Sequence, residues 1–257
     1  MPLQEELDAR YRDDYWSSFQ VEQTGPARNN VHEHALEWLQ EVHPEAGTVV
    51  DVGCGAGAFL ALCRERGWTG VGFDQSAHAV AYARTRGLDV SEQGWPACSL
   101  PDGSVDAVTF INVLDHLRDP FAALQEAQRI LRPGGLLYIR VPNGALHTRL
   151  MAPLSVMGFG NLPIVHLYGL SRAAFRFHLP RLGFTVPTVR PAPPSQGDAY
   201  EAGHTSVQAM VRRFLKTADQ VVYAILANFG LDRWAVGLSI EVLAKKEEKP
   251  GGPSWKT

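Results

Sequence analysis

The residues best suited to chemistry lie in VVDVGCGAGAFL, positions 49–60. A short apolar, β-branched run reads as a buried strand and enters a turn carrying Gly53, Gly55 and Gly57. Glycines there allow a tight turn and let a ligand approach the backbone. A helix is expected to start directly afterwards, so its first N–H groups and partial positive charge would face the same spot. Gly53, Gly55 and Ala58 also fit the loose dinucleotide fingerprint G-x-G-x-x-G/A. Asp51 separates the two readings. A carboxylate two residues before the first glycine is awkward for two phosphates and suitable for an ammonium group. Asp74 lies about 20 residues beyond the turn, at the end of a second strand, where an acid can accept hydrogen bonds from both hydroxyls of a ribose.

The elements that must position these residues follow from periodicity. A helix is expected over 31–42, with Val31, Ala35, Leu36, Leu39 and Val42 on one face. Strands are expected at 48–52, 70–73, 88–91, 107–111, 136–141, 184–190 and 237–244. Helices are expected at 58–66, 77–86 (capped by Ser76), 120–131 (capped by Asp119, with Pro120 first) and 171–182. Phe121, Leu124, Ala127 and Leu131 are expected to form one buried stripe, and RPGG at 132–135 to end that helix. Strands alternating with helices of this length indicate βαβ units, a mainly parallel sheet and right-handed connections. Residues 1–45 read as an N-terminal flap and helix, and 46–245 as the main α/β domain. Residues 143–170, apolar but broken by Gly and Pro, read as a lid. Residues 205–229 read as a long amphipathic helix before the last strand, and 246–257 as a disordered tail.

Taken in order, DVGCGAG, GFDQS, LPDGSVDAVTFINVLDHL and RILRPGGLLYIRVPN resemble the class I, Rossmann-like S-adenosylmethionine-dependent methyltransferases. Within that class they are most similar to the small-molecule group that includes the ubiquinone-pathway O-methyltransferases. The resemblance covers about 48–143 well and 166–190 more weakly. It implies a three-layer α/β/α sandwich around a seven-stranded sheet whose last strand is antiparallel. It also implies roles. Asp51, Gly53, Cys54, Gly55 and Gly57 would hold the methionine part of S-adenosyl-L-methionine. Asp74 would hold the ribose, and Gln75 would flank the adenine. Asn112 and Val113 would line the wall near the sulfonium. Many relatives carry an acid near the end of the third strand; here Gly94 and Trp95 occupy that place. Adenine would then be held by stacking on Trp95, by backbone groups, or by Glu92. Asp115-His116 stands where relatives often have Glu-His.

Methyl transfer from a sulfonium needs an acceptor held in line and water kept out. A hydroxyl acceptor also gains from a base, and His116, just after the fourth strand, is the candidate. His147, His166 and Tyr168 in the lid are candidate substrate contacts, and Tyr11, Tyr15 and Trp16 a candidate flap. Two other functions share some of these features. An NAD-dependent oxidoreductase would share the glycine turn and Asp74, but leaves Asp51, PDGSVD and RPGG without a role. A non-catalytic cofactor-binding or assembly protein could be built on the same fold.

Composition narrows the field further. The chain has 257 residues with a formal net charge of -3, which gives no support for a nucleic-acid partner. Three cysteines, Cys54, Cys63 and Cys98, suit a reducing compartment and lack metal-site spacing. No signal-like apolar core or membrane-spanning run is seen, so cytoplasmic location is expected. The partner expected is a small, partly hydrophobic molecule, methylated on oxygen, with nitrogen and carbon left open as alternatives. The chain is expected as a monomer or homodimer. The 205–229 stripe suits sheet cover, a dimer contact, or peripheral contact with a membrane.

Overall fold

The computed structural model describes residues 29–146, 148–149, 167–194, 214, 217–225 and 237–248. Seven strands form one sheet in the order β3-β2-β1-β4-β5-β7-β6. Their ranges are β1 Thr48–Val52, β2 Thr69–Phe73, β3 Asp89–Ser91, β4 Val105–Ile111, β5 Leu131–Pro142, β6 Thr188–Pro191 and β7 Ser239–Lys245. β7 runs antiparallel to both β5 and β6, and the pairs from β3 through β5 are parallel. The helices are α1 Asn29–Val42, α2 Ala58–Glu65, α3 Ala77–Thr85, α4 Pro120–Ile130 and α5 Arg172–His178. This is the Rossmann-like α/β architecture expected.

The central strands are buried on both faces, as a parallel sheet covered by helices must be. Val49, Val50, Ala107, Val108, Phe110, Leu137 and Ile139 are all fully buried. The helix starts are fixed by local chemistry. The Ser76 hydroxyl accepts from the Ala79 N–H at 3.3 Å, and the Asp119 carboxylate from the Ala122 N–H at 2.9 Å. Pro120 needs no amide donor at the first position of α4.

Four expectations need correction. The RPGG segment lies inside β5, which begins at Leu131. Its backbone is paired from outside: Gly134 N–H donates to the Lys246 carbonyl (3.0 Å) and Lys246 N–H to the Gly135 carbonyl (2.8 Å). Those bonds keep a glycine pair, with Gly134 at φ 76°, inside a strand. They also order residues 246–248, the start of the expected tail. Phe121 is 46% exposed, because Ala123, Leu124, Ala127 and Ile130 face the sheet and the Phe121 ring meets His178 edge-on at 4.7 Å. The 205–229 expectation is not among these: Asp219 turns inward and accepts the Leu238 N–H at 2.8 Å, while Phe214, Val221 and Ile225 are exposed, which speaks against sheet cover at those three positions alone. The sheet-edge strand is Thr188–Pro191 rather than 184–190, with only a single bridge from Phe184 to Lys246 before it.

The face of the sheet under α1 carries a buried polar group no local pattern announces. Arg140 and Arg190 flank Glu241 across β5, β7 and β6. Glu241 is fully buried and accepts from the Tyr138 hydroxyl at 2.9 Å. It also pairs with His34 Nε2 at 2.9 Å and with the Arg190 guanidinium. The same guanidinium lies over the Trp38 ring, 3.6 Å from its centroid. A buried carboxylate surrounded by cations is destabilising once its charge is removed, because the partners stay behind unpaired. Glu241→Gln is therefore expected to lose about 3 kcal/mol of stability, read as a lower urea midpoint at an unchanged slope.

Candidate active site

β1, β2, β3 and β4 all end on one side of the sheet. The strand order reverses between β1 and β4, and the crevice of such a sheet opens where the order reverses. Asp51 sits in β1, opposite Thr109 of β4. The turn that follows holds Gly53, Gly55 and Gly57 at φ 72°, 52° and 75°, the left-handed region that glycine enters without a Cβ clash. Packing adds a second demand at two of them. A Cβ on Gly53 would lie 2.5 Å from Val113 Cγ2, and one on Gly57 would lie 2.4 Å from Leu88 Cδ1. α2 begins at Ala58, so its N-terminus faces the same crevice.

Two carboxylates stand beside this turn. Asp51 is 3% exposed, and the Thr109 hydroxyl donates to its Oδ1 at 2.6 Å. Burial lifts its pKa from 3.8 to about 7; the Thr109 bond opposes the rise, and the nearby Asp74 charge adds to it. Asp74, at the exit of β2, accepts the Gly55 N–H at 2.7 Å on one oxygen and the Ser76 N–H at 2.9 Å on the other. Burial raises its pKa too, against the backbone N–H groups of Ser76, Gly55 and Gln75. A dry carboxylate so raised in pKa is a site that gains from a cation. A part-buried one with two backbone donors already fixed has lone pairs left for hydroxyls. The pair therefore fits a ligand with an ammonium at one end and a diol further along.

The remaining candidates fall around this centre. Cys54 is buried in the turn, and its Sγ would be 2.6 Å from a Cβ on Gly72. Gln75 and Gly94 are exposed neighbours on the β2–β3 rim; a Cβ on Gly94 would sit 3.8 Å from Gln75 Nε2. Trp95 corrects the stacking expectation. Its indole N–H donates to the Ala123 carbonyl at 3.1 Å, and its ring packs edge-on against Phe73 and Phe110. It is 7% exposed and belongs to the core. Glu92 is exposed on the segment after β3.

Asn112 and Val113 leave β4 next to the glycine turn, and the short 3₁₀ turn Leu114–His116 follows. His116 Nε2 lies 3.7 Å from the buried Asp115 carboxylate. The returning chain docks on the same turn. Leu167 N–H donates to the Asp115 carbonyl at 2.9 Å, and the Tyr168 hydroxyl to the Arg118 carbonyl at 2.7 Å. Tyr11, Tyr15, Trp16, His147 and His166 lie outside the described residues, as does most of the 143–170 segment. Among the described residues no group of three or more His, Cys, Asp or Glu could hold a metal ion, and no helix is long and apolar enough to cross a membrane.

Sequence reasoning missed Thr109 and Arg140. Each is a polar residue in an otherwise apolar strand, and that break in pattern was the available signal.

Comparison with known proteins agrees with this geometry. The family model for the methyltransferase domain matches residues 26–186, more than half of the chain, and the chain belongs to that family. An uncharacterized methyltransferase of Mycobacterium sp. (strain JLS) is 34% identical over 175 residues, covering 63% of this chain and 65% of that protein. The alignment thus spans slightly under two thirds of that relative's length. The ubiquinone biosynthesis O-methyltransferase of Pseudomonas paraeruginosa is 29% identical over 126 residues, covering 45% of this chain and 53% of that protein. In fold, a SAM-dependent methyltransferase from Archaeoglobus fulgidus superposes with a TM-score of 0.60 at 21% identity, covering 91% of this chain and all of that one.

The Asp51 environment yields a stability test. A carboxyl with a raised folded pKa favours folding while protonated; that support is whole below about pH 4, where the unfolded chain also holds the proton, and is lost progressively as pH rises to about 7. Asp51→Asn keeps an acceptor for Thr109 and carries no charge. Its ligand-free melting temperature is expected to exceed that of the wild type by about 8 °C or more at pH 8, by under about half as much at pH 5, and by under about 1 °C near pH 3, measured by differential scanning fluorimetry.

Proposed function

We propose that this protein is an S-adenosyl-L-methionine-dependent methyltransferase acting on a small, partly hydrophobic acceptor, with transfer to oxygen. The reading rests on one observation above the rest: the dry Asp51 and the part-buried Asp74 bracket a left-handed glycine turn at the β1 exit. Asp51 would receive the ammonium of the cofactor's amino-acid end, with Gly53, Cys54, Gly55 and Gly57 giving it close backbone approach. Asp74 would accept the ribose hydroxyls. Gln75 and Gly94 would form the adenine rim, with backbone groups in place of the acid common in relatives. Asn112 and Val113 would form the wall near the sulfonium. The bound cofactor supplies an activated methyl group. The chain's own task is to hold the acceptor in line and exclude water.

An oxygen acceptor is favoured by His116, which stands at the end of β4 on the crevice side, beside a buried carboxylate that can orient its imidazole. The ubiquinone-pathway relative points the same way. His116 would take the hydroxyl proton as the methyl arrives. His147, His166, Tyr15 and Tyr168 remain candidate substrate contacts. The Tyr168 hydroxyl is already bonded to the Arg118 carbonyl, so it would act through its ring.

Two outcomes test the reading. In isothermal titration S-adenosylhomocysteine is expected to bind the wild type and NAD to give no heat. Asp51→Asn and Asp74→Asn should each weaken S-adenosylhomocysteine by at least about 10-fold, in line with loss of a charge-assisted bond. Only ionised Asp51 attracts the ammonium, so affinity should fall about 10-fold between pH 8 and pH 6. Wild-type affinity retained in both variants would refute the assignment. Separately, His116→Ala should lower turnover of a phenolic acceptor by about 10²–10⁴-fold while S-adenosylhomocysteine affinity stays within about twofold; unchanged turnover removes His116 from catalysis.

A further inference from the structure

Asn112 is the one non-glycine residue with positive φ among the described residues, at 58°. A left-handed conformation costs an L-residue roughly 1–2 kcal/mol, and asparagine usually meets that cost with a local side-chain hydrogen bond. Here the restraint comes from another strand. Asn112 N–H donates to the Arg140 carbonyl at 2.8 Å, and the Arg140 guanidinium donates to Asn112 Oδ1. Residue 140 of β5 therefore grips residue 112 twice, through its backbone and its side chain.

The consequence reaches the crevice at the next residue. Val113 packs so closely on the glycine turn that a Cβ on Gly53 would lie 2.5 Å from Val113 Cγ2. The 3₁₀ turn bearing His116 starts from there, with His116 N–H donating to the Val113 carbonyl at 2.9 Å. A change in the backbone at 112 must shift Val113 against Gly53 and move His116.

Arg140 is a costly way to fill its position. It is 5% exposed in the strand LLYIRVP, where an aliphatic side chain would avoid desolvating a guanidinium. What the planar fork supplies is reach in several directions. Besides Asn112 it donates to the Pro193 carbonyl after β6 at 3.0 Å. Its charge is also felt by Asp219, which holds Leu238 at the start of β7.

We infer that Arg140 is a positioning residue for methyl transfer: it clamps Asn112 in the left-handed conformation and so sets the Val113 wall and the His116 turn. This rests on the cofactor reading above, in which Asn112 and Val113 face the sulfonium. The test is calorimetric titration of S-adenosylmethionine and S-adenosylhomocysteine into the full chain and its variants, with melting temperatures measured alongside. Arg140→Met should weaken S-adenosylhomocysteine about 10-fold, equivalent to about 1.4 kcal/mol, and change the ratio of the two affinities by about 3-fold or more. A purely structural role would lower the melting temperature and leave that ratio unchanged. Arg140→Lys, which restores one donor and the charge, should recover about a third or more of the lost affinity. Glycine adopts the left-handed conformation unaided, so Asn112→Gly should lose under about 3-fold, and adding Arg140→Met to it should cost less than about 2-fold more. Asn112→Ala, which has neither tether nor conformational freedom, should lose about 10-fold; this comparison stands even if Arg140→Met fails to fold. Equal affinities for the Asn112→Ala and Asn112→Gly variants would overturn the inference. So would an undiminished 10-fold loss from Arg140→Met in the Asn112→Gly background. A wild type that binds neither nucleoside defeats the cofactor reading and this inference with it. A wild type that binds, with Arg140→Met and Arg140→Lys indistinguishable from it, defeats the inference alone.

Discussion

Keeping a carboxylate out of water at the end of a β-strand is the constraint on which the rest of this structure turns. Asp51 gains one short hydrogen bond, from Thr109, in exchange for its hydration. That bond offsets only part of the loss, as its raised pKa records. The fold tolerates the residue because the strands around it are rigid and dry, and because the apolar core supplies the stability that Asp51 withdraws. A water-filled crevice would leave the same side chain as an ordinary solvated acid, with little preference for a cation over water. The strained, dry arrangement gives a ligand's ammonium something to relieve.

Everything adjacent follows from how close a ligand must come to that carboxylate. The glycine turn has to leave β1 without side chains in the way, so three residues take left-handed φ. Val113 then closes the space opposite Gly53. Asp74 is tied to the same turn through Gly55 N–H, so the two acids move as one unit and not as independent surface groups. The parallel register of β1 with both β2 and β4 brings these parts to one level. The antiparallel β7 lets the chain return beside β5 and places Glu241 between two arginines, so the far half of the sheet is cross-tied by charge as well as by apolar packing.

What was legible in the sequence was local. Ser76 and Asp119 bond amides three residues on, so their capping roles are written in short patterns. The glycine turn and both acids could be read because the required backbone conformation and the chemistry sit within one βαβ unit, residues 51–74. What was not legible depends on partners far along the chain. Thr109 meets Asp51 across 58 positions, and Tyr138 meets Glu241 across 103. RPGG carries every helix-stop signal. It lies in a strand only because Lys246, more than a hundred residues later, supplies its backbone partners. Trp95 could be placed near the adenine rim by position, yet its use was decided by a carbonyl on α4.

The helix over 217–225 shows the same limit in a sharper form. Periodicity predicts an apolar stripe turned toward the protein, but among the described residues Val221 and Ile225 are exposed. The deciding partner here is a backbone N–H. Leu238 enters β7 with an amide that needs an acceptor, and Asp219 provides it at 2.8 Å. Seating one carboxylate inward rotates Val221 and Ile225 outward, because residues two and six positions along a helix fall away from the anchored side. Burial raises the Asp219 pKa, opposed by the Leu238 N–H and by the Arg140 charge. A single satisfied amide at a strand entrance thus offsets the exposure of about one apolar side chain, since a buried N–H left without a partner costs about as much as the burial of one of them returns.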